Sequence, residues 1–294
     1  MLSGADVVVH LAWLLVPAHD PDEMHRVNVR GSQRVFDAVV ATGVPALVHA
    51  SSIGAYSPGP KTPVPETHPT GGVSSSTYSR HKAEVERMLD RLEAEHPERR
   101  VVRIRPGIIV QAAAASEVSR YFLGPFVPQS LVRRSLLPVL PLPRGLALQA
   151  VHTRDVARAF LLAATTTVTG AFNVAADPVL DPPALARALG ARWIPVPAAV
   201  LRTAVDVAWR THLIPMDPGW VDMGMRLPLM DTTRARDSLG WRPATDAVAA
   251  VREIVDAIGS GQGGPSPVLA PRASGPGRLL EVARGLVPGA GGTG

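Results

Sequence analysis

Residues 77–94 read TYSRHKAEVERMLDRLEA, and residues 100–105 read RVVRIR. In the first stretch Tyr78, Lys82, Val85, Leu89 and Leu92 recur at helical spacing, which predicts a helix with one buried stripe. The second is a β-branched run stopped by Pro106-Gly107, which predicts a strand. Working upstream, 46–52 (ALVHASS) reads as a strand ending in serines. A helical pattern through Met24, Val27, Gly31, Val35, Ala38 and Val39 precedes it, opened by Asp20-Pro21-Asp22 and closed by Gly43. Residues 5–12 (ADVVVHLA) form a continuous apolar run, as in a strand covered on both faces. Strand, helix, strand, helix, strand over about 100 residues implies βαβ units and a parallel sheet.

Downstream the pattern is less regular. Residues 53–75 read as a loop. Residues 108–146 are apolar and interrupted by proline, with one helix near 116–123. A strand near 148–152, a helix at 154–164 and a strand at 170–175 follow. Helices are expected at 181–189, 196–210, 231–239 and 244–257. From Gly259 to Gly294, 16 of 36 residues are Gly or Pro, which predicts a flexible tail; within it, Arg278–Val287 is a short amphipathic stretch. The division expected is 1–107 (sheet domain), 108–258 (substrate lobe with returning sheet elements) and 259–294 (tail).

Composition narrows the chemistry. No cysteine is present, so disulfides, thiolate metal sites and cysteine nucleophiles are excluded. The net charge of +5 comes from arginines scattered among acids, without the clustering a nucleic-acid surface needs. The run 7–18 is too short to span a bilayer and lacks a basic flank, so a cytoplasmic protein without membrane segments is expected. The nine histidines show no close ligand spacing such as H-x-x-x-H, and no G-x-S-x-G elbow exists. Only two of the 30 basic residues are lysine, Lys61 and Lys82. Lys61, in a Pro-rich loop, is read as incidental.

Tyr78 and Lys82 lie four apart and share a helix face. An ammonium near a phenol favours phenolate and makes tyrosine a usable acid/base. Ser51 and Ser52 end a strand 26 positions earlier, where strand C-termini of a parallel sheet line a ligand crevice. Together with Ala50–Tyr56 (ASSIGAY), Pro65-Glu66-Thr67, Tyr78–Lys82 (YSRHK) and Arg103–Pro106 (RIRP), these residues resemble the extended short-chain dehydrogenase/reductases of the NAD-dependent epimerase/dehydratase family. His10-Leu11-Ala12, Asn28–Ser32, Val151–Ala157, Phe172-Asn173-Val174 and Leu239–Pro243 fit as well, so the similarity runs from residue 5 to about 257. The resemblance implies a Rossmann-like α/β sheet with a smaller C-terminal lobe. It implies Tyr78 as acid/base, Lys82 as ligand of the nicotinamide ribose that also lowers the Tyr78 pKa, and Ser52 as orienter of the substrate oxygen. Ala12, Asn28, Ser51 and Pro106 would complete the cofactor side, and Gly31 would let its helix approach the sheet. The cofactor would be NAD or NADP, and the substrate a small molecule. A homodimer is common in the family.

One departure stands out. The family's G-x-x-G-x-x-G turn, which seats a pyrophosphate between a strand and a helix, would precede residue 5. Gly259/Gly261/Gly264 and Gly289/Gly291/Gly294 have glycine spacing but lack the strand-before, helix-after context. In a sheet ordered 3-2-1-4-5-6 the 5–12 strand would be fourth, with a bare apolar edge. The expectation is a chain lacking its first βαβαβ portion, through truncation or a misassigned start. Gln111 stands where the family often has glycine. Two functions follow: an oxidoreductase or epimerase acting on an alcohol or ketone, or a non-catalytic binding or regulatory remnant of the same fold. Ile108, Ile109, Val110, Tyr121, Phe122, Leu123, Phe126 and Val127 favour an apolar substrate, whereas Arg120, Arg133 and Arg134 would suit a sugar nucleotide.

Overall fold

Strand β1 (Val8–His10) leads into helix α1 (Pro21–His25), a π-helical turn (Arg26–Arg30) and helix α2 (Gly31–Ala41). Asp20 caps α1, its carboxylate accepting from the Glu23 amide at 2.9 Å. β2 (Ala46–Ala50), a 3-10 turn (Ile53–Ala55), β3 (Pro63–Val64), α3 (Thr77–Glu95) and β4 (Arg100–Pro106) follow. Then come β5 (Ile108–Val110), α4 (Ala115–Leu123), β6 (Val139–Pro143), β7 (Ala150–His152), α5 (Thr153–Thr165) and β8 (Gly170–Val174). The C-terminal part holds α6 (Pro182–Leu189), β9 (Arg192–Val196), α7 (Ala198–Arg210), α8 (Gly219–Arg226), β10 (Leu229–Met230), α9 (Thr233–Asp237) and α10 (Ala247–Gly259). This computed structural model describes residues 2–15, 20–123 and 138–264, without the side chains of Phe122 and Leu123. The expectations for Phe126, Val127, Arg133, Arg134 and Arg278–Val287 therefore lie outside the described residues.

The main sheet is parallel throughout, ordered β1-β2-β4-β8, and is Rossmann-like with a smaller C-terminal lobe. Strand parity divides its side chains between two faces. Leu47 and Val101 pack with Phe36, Val39, Val85 and Leu89 of α2 and α3. Val48, Val102 and Ile104 pack on the other face with Val156 and Ala159 of α5, and with Trp241. The same parity sends His49, Ser51, Arg103 and Arg105 toward α3. Among the described residues β1 pairs with β2 alone, and Val9 and Leu11 are 41% and 57% exposed, so the apolar edge expected for this strand is present.

Three two-stranded parallel pairs, β10-β3, β5-β7 and β6-β9, build the rest. The expected loop 53–75 thus contains a strand, and 108–146 contains two. No helix among the described residues is long and apolar enough to cross a membrane. Gly259 ends α10, so the first glycine string follows a helix.

Candidate active site

The C-terminal end of β2 meets the first turn of α3. Ser52 is extended, and its hydroxyl accepts from the Gly54 amide at 2.9 Å, which folds the chain into the 3-10 turn. Gly54 lies so close to the Tyr78 ring that a Cβ there would stand 2.7 Å from Cε1. Ser79 secures the same junction, donating to the Gly54 carbonyl and accepting from the Val73 amide at 2.7 Å. Burial pushes the Tyr78 hydroxyl up to about 12, and the nearby Ser52 hydroxyl pulls against it. Its ring faces Trp220 at 5.1 Å between centroids, and Trp220 in turn meets Tyr121 at 5.6 Å.

Lys82 is buried one turn further along α3, with Nζ donating to the Ala50 carbonyl at 2.7 Å. Its ammonium lies 3.4 Å from the centroid of the Trp13 ring and 5.8 Å from that of Tyr78. Burial brings Lys82 down to about 7, against the attraction of Glu86. Burial is the first cause acting on the Tyr78 hydroxyl, and Lys82 is not among the groups that shift it. Burial governs both groups, raising the phenol and lowering the ammonium.

Asn28 is buried within the π-helical turn and grips the loop after β1. Its Oδ1 accepts from the Leu14 amide at 2.6 Å, and its Nδ2 donates to the Leu14 carbonyl at 2.8 Å. Ser32 donates to the Asn28 carbonyl, which leaves its oxygen to accept from His10 Nε2 at 3.0 Å. Asn28 therefore fixes the loop that carries Trp13.

Beneath Lys82 lies a buried ionic cluster that the sequence reading did not single out. Glu86 receives Arg105 through both oxygens, Arg103 at 2.9 Å and the Ser51 hydroxyl. Burial alone would raise its carboxyl, but Arg105 and Arg103 hold it down to about 2. Arg103 also pairs with Asp90 and Glu93, and Arg105 donates to the Tyr56 hydroxyl at 3.1 Å. Two arginines on one face of a covered strand were the available signal, because buried cations require acids.

The remaining candidates divide. Ser51 is buried, with its hydroxyl committed to Glu86 on the α3 side of the sheet. Ala12 is exposed in the loop after β1, and Pro106 ends β4 opposite Val174. Gly31 would meet only the Arg26 carbonyl at 3.9 Å if given a Cβ, so it permits no special approach to the sheet. Gln111 is extended (φ −162), a conformation open to any residue, so glycine is not required there. Lys61 is not incidental: its ammonium ties together the Gly224 and Ala147 carbonyls at 2.7 and 3.1 Å.

Residues 1–175 match the sequence profile of the NAD dependent epimerase/dehydratase family. That is more than half of the chain, and the chain belongs to this family. An uncharacterised protein of Mycobacterium tuberculosis (strain ATCC 25618 / H37Rv) is 26% identical over 259 residues, covering 87% of this chain; the chain spans 23% of that relative's length. The 3 beta-hydroxysteroid dehydrogenase type 7 of Rattus norvegicus is 40% identical over 62 residues, 20% of this chain and 18% of that protein. Among solved structures, the UDP-glucose-4-epimerase of Stenotrophomonas maltophila, with bound NAD and formylated UDP-arabinopyranose, superposes with a TM-score of 0.62 at 22% identity, covering 87% of this chain and 76% of that one. That likeness concerns the fold.

Proposed function

We propose that the chain carries the acid/base half of a nicotinamide-dependent oxidoreductase or epimerase that acts on an alcohol or ketone. The observation that carries this reading is the packing of Tyr78 against the Ser52–Gly54 turn just after a parallel strand, one turn from a buried lysine. Family membership supports it. Reducing a carbonyl takes a hydride on carbon and a proton on oxygen. A reduced nicotinamide supplies the hydride when bound. Tyr78, protonated at neutral pH, donates the proton, and Ser52 orients the receiving oxygen.

The donor set fits the nicotinamide-ribose end of such a cofactor. Among the described residues Lys82 makes one hydrogen bond, to Ala50, leaving N–H groups for ribose hydroxyls, and Asn28 sets the adjoining loop. A glycine turn between strand and helix is not among the described residues. The aromatic wall of Trp220 and Tyr121 beside Tyr78 favours an apolar alcohol or ketone over a sugar nucleotide, in keeping with the hydroxysteroid dehydrogenase similarity.

The test compares Tyr78→Phe with the parent on apolar ketones and on nucleotide sugars. Loss of turnover by about 100-fold or more with ligand binding retained is expected. Unaltered turnover removes Tyr78 from the role. Ligand binding without turnover in the parent favours the binding-protein reading instead, and activity confined to nucleotide sugars refutes the apolar substrate.

A further inference from the structure

Trp13 is an unusual neighbour for Lys82. The indole face lies 3.4 Å from Nζ, while its edge relation to Tyr78 is a looser 6.0 Å between centroids. The ammonium has three N–H groups, of which Ala50 takes one. The indole face therefore stands where oxygen acceptors of a ligand would stand. Yet Trp13, although it packs against the apolar cluster between α2, α3 and the sheet, is incompletely secured. It is half-buried, and its own Nε1 is buried without a hydrogen-bond partner among the described residues. Leu11 and Ala12 before it are exposed. Behind it, the loop is pinned by the two Asn28 bonds to the backbone of a single residue, Leu14. An orphaned indole N–H costs free energy in the covered state, offset by the cation–π contact at the ring face and by packing against the apolar cluster.

We propose that Trp13 is a displaceable cover on Lys82, competing with the ligand for its ammonium, so that binding requires the indole to leave while Asn28 holds the loop at Leu14. Trp13 then sets affinity by competition without touching the reacting atoms. The inference rests on the proposed reading of Lys82 as a ligand of a ribose diol. Release of the indole would give Nζ back to hydroxyl oxygens and Nε1 back to water.

The probe is nicotinamide mononucleotide, which presents the ring and ribose diol without a pyrophosphate bridge. Trp13→Leu keeps an apolar side chain but removes the π face. Calorimetry should show it binding the probe about 2- to 30-fold more tightly than the parent, the range expected for losing one cation–π competitor. Tryptophan emission of the parent should change on binding, and that change should be missing from Trp13→Phe. Independently of any ligand, acetylation of Lys82, read by mass spectrometry against Lys61 in the same chain, should reach a higher high-pH plateau rate in Trp13→Leu.

Equal affinity of parent and Trp13→Leu overturns the proposal, as does an unchanged Lys82-to-Lys61 labelling ratio. If neither protein binds the probe but Lys82 labelling rises in Trp13→Leu, the cofactor reading fails and the cover on Lys82 stands. If Trp13→Leu does not fold, the emission comparison between the parent and Trp13→Phe decides alone: no probe-dependent difference overturns the proposal.

Discussion

Glu86 holds Arg105 with both carboxylate oxygens, Oε1 at 2.8 Å from Nε and Oε2 at 2.8 Å from Nη2, and both side chains are buried. This joins α3, which carries Tyr78 and Lys82, to the centre of the sheet. Glu86→Gln would leave Arg103 and Arg105 short of a buried counter-charge. A loss of about 3–5 kcal/mol in urea unfolding is expected, the cost of breaking a buried pair. The pH dependence has a definite sign. The folded carboxyl titrates near 2, below its ordinary value of 4.5. Its contribution is therefore present above about 4.5 and lost as pH falls toward 2. The variant should show a shallower acid limb; an identical limb would count against the assignment.

Lys82 has the opposite consequence at high pH. Brought down to about 7 from 10.5, it gives up its proton in the folded state only above that pH, where the unfolded chain still holds one. Stability should climb as pH rises from about 7 toward 10, by roughly 3–5 kcal/mol in total. Lys61, lowered to about 8, contributes with the same sign. In Lys82→Met the larger part of that climb should vanish, while stability at pH 7 holds or rises. Thermal melts at pH 7, 8 and 9 would show it, and a climb retained in full would contradict the burial of this ammonium.

Gly54→Ala tests the seat of Tyr78. The new Cβ would stand 2.7 Å from Tyr78 Cε1, closer than atoms pack, so the ring must shift. A displacement near 1 Å costs on the order of 100-fold in turnover, and kcat/KM on the substrate identified by the Tyr78→Phe comparison should fall by about that much. Full activity would mean that Tyr78 needs no fixed position.

His49 is fully buried on β2, and neither ring nitrogen has a hydrogen-bond partner among the described residues. Burial, then the nearby Lys82 and His10, hold it well below 6.5. Its neutral form is the folded form, so stability falls as pH drops below about 6.5 and the unfolded chain takes up the proton. His49→Leu should flatten unfolding curves between pH 6.5 and 4.5, with no loss at pH 7. A variant that is less stable at pH 5 than the parent would refute this.

The sequence was most legible where periodicity and chemistry coincide. Tyr78 and Lys82 lie on the predicted helix and stripe, and Ser52 on the predicted strand end. The parallel sheet followed from alternation alone, and the helix from Asp20 began where its cap demanded. What escaped has physical reasons. β6 and β9 contain Pro141, Pro143 and Pro195, which read as breaks; the pair tolerates them because, among the described residues, each strand has an unpaired edge. Glu86 looked like one more acid on a charged helix until strand parity brought Arg103 and Arg105 to it. Trp13 follows a strand in an irregular loop, and its place over Lys82 depends on Asn28, 15 positions away, which no local pattern encodes.

Asp155 gathers in the far end of the described fold. Its carboxylate accepts the amides of Ala244 and Thr245 at 2.9 and 3.1 Å, and its carbonyl accepts Trp241 Nε1 at 2.7 Å. Trp241 is fully buried against Val48, Val102, Ile104 and Phe172. During synthesis the sheet must therefore wait, one face incompletely covered, until a residue nearly 70 positions beyond its last strand leaves the ribosome. Closing so long a loop is slow, and in that interval the nascent chain displays valines and a phenylalanine to whatever surrounds it. Moving the Asp155 anchor of Trp241 is therefore expected to lower yield before it alters chemistry.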